Sequence, residues 1–426
     1  MSHRAPAWAR RAAILASAAL ATGAASLSCG GASAAHGGAS SKAPRHDASK
    51  ADGDSGAASV AAASSDAWPE ATRSPTPIAH ADLDEMDALL LARCGASDAA
   101  LTAVAREIVA RGKSGAPLDA VSLDEALRAA GEPHVAPRAA IFRGSAGDPA
   151  SLLAKLGAWS ASLPVSGERR CGVARAEGEG GEGTVAAVAV DALADLAPLP
   201  TRAHPGTWLT VEAQLLVPAD AARVVVAGPD GAPRTVPASF ADRRVRARFA
   251  PDRPGAFVVQ VVADVDGGPR PVLEARVFAD APPARTTAPA PGEDAAAPSA
   301  RPDDALAAMA LSLRRSLALP PLERDARLDA IALAHATAMR RARAVVHDAG
   351  DGDPTRRVQS AGLSPAVVGE NVAHAEAAAL AHRALYASPS HRANLLRPGF
   401  RKIGVAAVAG DGDGIWVVEL FTSDLP

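Results

Sequence analysis

Three short blocks near the end of the chain decide how its fold is interpreted. They read Gly369-Glu370-Asn371-Val372-Ala373, then Ser388-Pro389-Ser390-His391-Arg392-Ala393-Asn394-Leu395-Leu396, and then Phe400-Arg401-Lys402-Ile403-Gly404-Val405. In the second block a serine, a good helix cap, precedes a proline, which suits the first helical position. This order predicts a helix that begins there and fixes His391 near the helix start.

Together with the upstream His347, these blocks resemble the CAP superfamily, named for cysteine-rich secretory, antigen 5 and pathogenesis-related 1 proteins. The form they resemble is the compact bacterial, SCP-like one with GEN, SPxHRxN and a closing IGV. The resemblance covers roughly Asp303 to Pro426, under a third of the chain. It implies an α/β/α sandwich with a shallow cleft in which His347, Glu370 and His391 converge.

The chemistry of those three cleft residues allows more than one role. Two neutral imidazoles and a carboxylate can bind a divalent metal such as Zn²⁺ and leave a position for water. The same groups could act as acid and base without a metal. The larger CAP proteins carry a second cleft glutamate, which Glu376 does not replace, and the usual tryptophan before SPxH is replaced by Leu385-Tyr386.

The other polar residues of the blocks are interpreted as structural. Asn371 is expected to hold backbone groups, because a buried amide is usually spent on hydrogen bonds. Arg392 and Asn394 are likewise interpreted as structural. His335 lies on an apolar helix face and is expected to be a core histidine. His374 and His382 are interpreted as solvated or helix-face residues. A serine-protease interpretation of Ser388 or Ser390 lacks a G-x-S-x-G elbow.

The N-terminus has the three parts of an export signal, predicted over residues 1–29. Arg4, Arg10 and Arg11 precede an apolar run from Ala12 to about Ala25, which is too short for a membrane span. Leu27-Ser28-Cys29 looks like a lipoprotein cleavage box, which predicts lipidation at Cys29. An ordinary cut after Ala32-Ser33-Ala34 is the alternative. Residues 30–77, poor in large apolar side chains, are predicted to be a disordered tether.

Cysteine usage and charge limit the possible chemistry. Cys94 and Cys171 leave an even pair, and a disulfide between them would stabilise the fold by roughly 4 kcal/mol on the chain-entropy model. With so few cysteines, a structural Cys-rich zinc site is excluded. The formal net charge is -3, the pI is about 6.4 and no aromatic-interleaved basic patch is evident. Nucleic-acid binding is therefore disfavoured.

Residues 78–198 are predicted to form a helical or degenerate CAP-like domain. Arg170-Cys171-Gly172-Val173-Ala174 aligns with Lys402-Ile403-Gly404-Val405-Ala406 at an offset of 404 - 172 = 232. If this is a second CAP-like unit, its polar site is absent; the alternative is two unrelated domains that share a Gly-Val strand start. The aligned positions are Ala139 for Glu370, Ala140 for Asn371, and Trp159 or Ser160 for His391.

Residues 201–280 read as short strands separated by turns, which predicts an all-β, Ig-like sandwich. Residues 281–302 are rich in proline and alanine and are predicted to be a semi-rigid linker. The resemblance predicts a CAP domain over residues 303–426, with helices expected at Asp304–Leu317 and from Asp325 to about Ala342. The predicted fold class is therefore multidomain α+β.

The function expected from these features is that of an exported cell-envelope binding module. Its ligand is unknown and could be a lipid, a glycan or a protein outside the cell, and its membrane contact is limited to the lipid on Cys29. The rival hypothesis is a metal-dependent hydrolase of peptide or cell-wall substrate, with the metal on His347, Glu370 and His391. A third hypothesis is a purely structural role in which the cleft is a relic.

Overall fold

The computed structural model describes residues 68–74, 78, 83–112, 119–145, 147–178, 181–410 and 414–425. The predicted signal peptide, Cys29 and most of the predicted tether lie outside these residues. None of the described helices is long and apolar enough to cross a membrane. The described secondary structure falls into three successive groups.

The first group is a four-stranded sheet flanked by helices. Its elements are β1 (Ala71–Thr72), α1 (Glu85–Cys94), β2 (Ala96–Ser97), α2 (Ala99–Gly112), α3 (Ala120–Ala129), β3 (Arg138–Ser145), α4 (Pro149–Ser162), β4 (Glu168–Glu177) and β5 (Glu182–Ala192). The sheet order is β2-β4-β5-β3, with β1 outside it. Leu101, Val104 and Ile108 place the apolar face of α2 in the core. Cys94 and Cys171 form a disulfide with their Cα atoms 5.8 Å apart.

The second group consists of two antiparallel-rich sheets that enclose one core. Its strands are β6 (Ala194–Leu196), β7 (Leu199–Pro200), β8 (Arg202–Ala203), β9 (Leu209–Leu215), β10 (Ala221–Ala227), β11 (Arg234–Val236), β12 (Ala238–Ala241), β13 (Arg244–Phe249), β14 (Gly255–Val265) and β15 (Gly268–Ala279). One sheet has the order β11-β10-β14-β15-β8 and the other β12-β13-β9-β6. Buried and accessible residues alternate along β9 and β13, so one face of that sheet meets the core and the other is solvated.

The third group is an α/β/α arrangement around a second four-stranded sheet. Its elements are α5 (Pro302–Ser316), β16 (Glu323–Arg324), α6 (Ala326–Ala342), α7 (Pro354–Ser360), β17 (Val368–Ala375), α8 (Ala378–Ala387), α9 (Pro389–Leu395), β18 (Lys402–Ala409) and β19 (Ile415–Thr422). Val405 and Val417 face the core under α5 and α8, whereas Ala406 and Val418 face the core under α6. Neighbouring residues thus point to opposite helical layers, as the period of a strand requires.

The first and third groups share one sheet topology. In each, a short strand runs parallel to one strand of a hairpin, and an antiparallel strand forms the far edge, so β16-β18-β19-β17 repeats β2-β4-β5-β3. Gly172 and Gly404 have the same role in these sheets. A Cβ on Gly404 would lie 2.2 Å from the backbone carbon of Leu328 in α6, and one on Gly172 would lie 2.0 Å from the backbone nitrogen of Thr102 in α2.

The edge strands of the two sheets also correspond residue by residue. Ala139 pairs with Val188, and Glu370 pairs with Leu420, at offsets of 370 - 139 = 231 and 420 - 188 = 232. Alanine therefore occupies the position in the first sheet that glutamate occupies in the third group.

The prediction of a tether reaching residue 77 is wrong for residues 68–74. β1 pairs with β7, and Trp68 is buried in edge contact with Phe278, with ring centroids 5.0 Å apart. A single large aromatic ring buries enough apolar surface to order a short segment that is otherwise polar.

The segment predicted as a semi-rigid linker, residues 281–302, is packed against its neighbours. It contains a 3₁₀ turn at Glu293–Ala295. His382 Nε2 in α8 is 3.0 Å from the Pro291 carbonyl, and Arg383 forms an ion pair with Glu293 at 2.6 Å. Side chains of the C-terminal domain therefore hold the segment, which its composition alone did not reveal.

Candidate functional site

The three predicted cleft residues come together from three different elements. His347 lies in the loop between α6 and α7, Glu370 is on β17, and His391 is in the first turn of α9. The imidazole of His347 is close enough to that of His391 to lower its pKa. The cleft is thus assembled from residues that lie up to 391 - 347 = 44 positions apart in the chain.

Glu370 is the buried anchor of the cleft. One carboxylate oxygen, Oε1, accepts a hydrogen bond from His347 Nδ1 at 2.8 Å, and the other, Oε2, is in a close ion pair with the guanidinium of Arg357. Its side chain is 1% exposed, so the charge of Arg357 compensates a carboxylate that solvent does not reach. The sequence analysis did not identify Arg357, because nothing in a helix as short as α7 distinguishes it from the adjacent Arg356.

His391 is held at the start of α9 by a serine side chain. Its Nδ1 lies 2.8 Å from Ser388 Oγ. Burial, and then the neighbouring His347, lower the pKa of His391 to about 3, so its imidazole is neutral near pH 7. Ser388 is the N-cap residue, as predicted, but its hydroxyl makes no capping bond to the helix backbone. The hydroxyl instead contacts the imidazole of His391.

The sandwich supplies one wall of this cleft. Gln260 on β14 donates from Nε2 to Ser388 Oγ at 3.0 Å and accepts the backbone N–H of Ser390 at 3.0 Å. The carbonyl of Gly267, in the turn between β14 and β15, accepts the backbone N–H of His347 at 3.0 Å. Both cleft histidines are therefore fixed by contacts from another domain, which no sequence pattern predicted.

A second layer of polar residues lies beneath the cleft. Asn371 donates from Nδ2 to Glu419 Oε2 at 3.0 Å and to the His391 carbonyl at 3.2 Å. Asn394 donates to Asn371 Oδ1 at 3.0 Å and to the Glu370 carbonyl at 3.1 Å. Burial raises the pKa of Glu419 to about 7. These amides tie strand β17 to helix α9.

The remaining motif arginine, Arg392, is buried with its guanidinium 4.5 Å from the centroid of the Tyr386 ring. Leu385-Tyr386 replaces the tryptophan that usually precedes SPxH, and Tyr386 provides a cation–π partner for Arg392. Glu376 is exposed between β17 and α8, so it does not supply a second cleft carboxylate.

The interpretation of the other histidines is correct for His335 and wrong for His374, which lies on a strand, whereas His382 lies on a helix as one alternative expected but is not solvated. His335 is fully buried, with Nδ1 2.9 Å from Asp351 and Nε2 3.0 Å from the Val346 carbonyl, as a satisfied core histidine should be. His382 is also fully buried, and its partner is the packed segment that was predicted to be a linker. His374 is half-buried against Trp416, with ring centroids 4.6 Å apart, because β17 is an edge strand covered on that side.

The residues present do not form the three-ligand metal site of His347, Glu370 and His391, and they leave the two imidazoles as the candidate ligands. Both oxygens of Glu370 are engaged, and within the described ranges no group of three or more His, Cys, Asp or Glu side chains is arranged to hold a metal. A carboxylate partner on the Nδ1 of a histidine is, however, the usual outer contact of a ligating imidazole. Glu370 would then orient His347 rather than bind the ion.

The topology and the histidine-lined cleft define the third group as an α/β/α domain with a polar site at one edge of its sheet. Residues 311–421 match the family model of the Cysteine-rich secretory protein family, CAP. The C-terminal domain is therefore a CAP domain, and the resemblance found from the sequence motifs is confirmed.

Several solved structures are similar to parts of the chain, and no curated protein matches it. An outer surface protein from Borrelia burgdorferi is 23% identical, with 29% of this chain and 92% of that chain covered and a TM-score of 0.27. An extracellular SCP-domain protein from Bacillus anthracis is 17% identical, with 52% and 89% covered and a TM-score of 0.26. A cysteine-rich secretory protein from Staphylococcus aureus is 12% identical, with 55% and 83% covered and a TM-score of 0.24.

Proposed function

We propose that this protein is an exported cell-envelope binding module whose CAP cleft contacts its ligand through His347 and His391. The observation that carries this proposal is the anchoring of both imidazoles through Nδ1, to Glu370 and to Ser388. Among the described residues neither Nε2 atom has a hydrogen-bond partner. Two rigidly held ring edges in one cleft form a preorganised contact, which lowers the entropic cost of binding.

The state of Glu370 favours binding over hydrolysis. A general base has to reach a water or substrate proton. Here Oε1 and Oε2 are both committed, to His347 and to Arg357. Glu370 therefore supports the cleft and keeps His347 in the tautomer that carries its proton on Nδ1.

The alternative of a metal-dependent hydrolase retains one supporting observation, the outer partners of the two imidazoles. His347 and His391 would hold a divalent ion such as Zn²⁺, with Glu370 and Ser388 fixing the ring orientations. A bound metal would supply Lewis acidity and an activated water. The chain itself would hold the rings and shield one side of the cleft through Gln260.

The other domains are proposed as supports. The first group is interpreted as a degenerate CAP-like unit, because its sheet has the topology of the CAP sheet and alanines replace Glu370 and Asn371. The second group is interpreted as an Ig-like spacer. Export rests on the N-terminal arginines and apolar run of residues 1–29.

Zinc titration of the full chain by calorimetry tests the role of the cleft. Wild type is compared with His391→Ala, and with His204→Ala as a control, since the His204 side chain is 85% exposed and lies outside the cleft. One-site binding that is lost only in His391→Ala would support the two-imidazole site and justify a screen for hydrolysis. Binding that persists in His391→Ala would remove the cleft from consideration as a metal site.

A further inference from the structure

A row of arginines lies on the solvated face of the sandwich. Arg244, Arg246 and Arg248 alternate along β13 with the buried residues Val245, Ala247 and Phe249. Because side chains two residues apart leave the same face of a strand, the three guanidinium groups form a ladder with steps of about 7 Å.

The charges of this ladder are largely uncompensated. Glu212, on the neighbouring strand β9, faces Arg246 and approaches Arg244 only to 3.9 Å. Arg246 and Arg248 make no side-chain hydrogen bond or ion pair with any of the described residues. Asp195, on β6 of the same sheet, already forms an ion pair with Arg170 at 2.8 Å.

An exposed tryptophan stands at the end of the ladder. Trp208 precedes β9 and is 64% exposed, although such a large apolar side chain is usually covered. Arg248 lies over its ring, 5.3 Å from the centroid. The cation–π contact holds the indole in place while much of its apolar surface remains open.

We propose that this face, formed by Trp208, Arg244, Arg246 and Arg248, binds a linear acidic polysaccharide. Guanidinium groups bind carboxylate and phosphate groups in a bidentate manner, and a regular ladder matches charges repeated along an extended chain. The open indole provides a flat apolar surface on which the C–H face of a sugar ring packs.

Two other negatively charged partners, a membrane surface and a nucleic acid, fit this face less well. Binding at a membrane surface grows with the apolar area that enters the lipid, and Trp208 is the one large apolar side chain that the described part of this face exposes. Nucleic acid favours an extended basic field, whereas the whole chain has a net charge of -3.

The test measures binding of the full chain to immobilised polygalacturonate, with dextran as a neutral sugar polymer and polyglutamate as an acidic polymer without sugar. Wild type should bind polygalacturonate at low ionic strength, bind dextran much less, and lose affinity as salt is added. Arg246→Glu/Arg248→Glu should weaken binding by about tenfold or more. The control Arg315→Glu/Arg341→Glu makes the same charge change on exposed helix ends of the CAP domain and should leave binding unchanged.

Trp208→Ala separates a sugar site from a general site for negative charge. It should weaken binding to polygalacturonate and leave the weaker binding to polyglutamate unchanged. The proposal is overturned if wild type does not bind polygalacturonate, or if both double variants weaken binding equally. Equal affinity for polyglutamate, for duplex DNA or for phosphatidylglycerol vesicles would also overturn the assignment to a polysaccharide.

Discussion

The side-chain amide of Gln260, in the sandwich, donates a hydrogen bond to the hydroxyl of Ser388, which in turn contacts His391 in the CAP cleft. The same amide nitrogen also donates to the buried carboxylate of Glu274 at 3.0 Å. A chain of polar contacts therefore runs from the interior of one domain to His391 in the cleft of another.

Replacing Gln260 should weaken the contact between the sandwich and the CAP domain and loosen the cleft at Ser388. Gln260→Ala leaves Glu274 Oε2 and the N–H of Ser390 without their partner, at an expected cost of about 1–3 kcal/mol in the free energy of unfolding. Urea unfolding measures this cost. Gln214→Ala is the matched control, because its amide makes only contacts of 3.2–3.4 Å at the accessible face of β9. Equal losses of unfolding free energy in the two variants would mean that Gln260 contributes no more to stability than an accessible glutamine.

Replacing Arg357 should destabilise the CAP domain more than any exposed arginine does. Arg357→Met leaves the Glu370 carboxylate buried without a counter-charge, which costs about 3–5 kcal/mol. The adjacent and exposed Arg356→Met should change stability by less than about 0.5 kcal/mol. The double variant Arg357→Met/Glu370→Leu should recover part of the loss. If it does not, packing rather than charge explains the effect.

The two equivalent glycines should be equally intolerant of a side chain. Gly404→Ala and Gly172→Ala each place a Cβ against a helix backbone, at 2.2 Å and 2.0 Å, so sheet and helix must separate. We expect a loss of about 3 kcal/mol or more in each, because neither backbone can move locally. Gly399→Ala meets no atom within 4 Å and serves as the control. Thermal unfolding of the three variants tests this, and a stable Gly172→Ala protein would contradict the equivalence.

Glu419 should make stability depend on pH. Burial raises its pKa from 4.5 to about 7, so the folded state binds more protons than the unfolded state between these values. Its stabilising effect is full below about pH 4.5 and falls as the pH rises through 7, by up to roughly 3 kcal/mol. Glu419→Gln keeps the shape and cannot ionise. The melting temperature of Glu419→Gln minus that of wild type should therefore increase as the pH rises from 5 to 8. A difference that stays constant over this range would exclude a raised pKa for Glu419.

Lipidation at Cys29 can be tested in a host that exports the protein. Wild type should incorporate a labelled fatty acid and sediment with membranes, whereas Cys29→Ala should do neither, since the thiol carries the lipid. Ala34→Asp, which removes a small residue that the alternative cleavage site requires, should leave labelling intact. A mature protein that begins at Ala35 in intact-mass spectra would show the ordinary cut instead.

Regular elements with strong periodicity were predictable from the sequence. The helix expected at residues 304–317 is observed at Pro302–Ser316, and the one expected at 325–342 at Ala326–Ala342. Both are amphipathic and bounded by clear start and stop signals, so local information suffices. The cleft residues were found for a different reason, because dispersed motifs of a known family carry positional information that periodicity lacks.

The contacts that shape the cleft were not predictable in this way. Gln260 lies 388 - 260 = 128 positions from Ser388, and one glutamine in a strand resembles any other. Arg357 is likewise indistinguishable from its neighbour Arg356 until folding buries one and exposes the other. Such pairs depend on how elements and domains distant in sequence pack together, which a single sequence does not encode locally.

The turn at Gly267 and Gly268 has a consequence for how such a chain can evolve. It meets His347 through backbone atoms, and a Cβ on Gly268 would lie 3.1 Å from the Cβ of His347. A recombination event that moved residues 303–426 into another gene would deliver a cleft with one side open to solvent. A cleft with this wall is therefore transferred intact only when the sandwich moves together with residues 303–426, although the two are separate units of folding pattern.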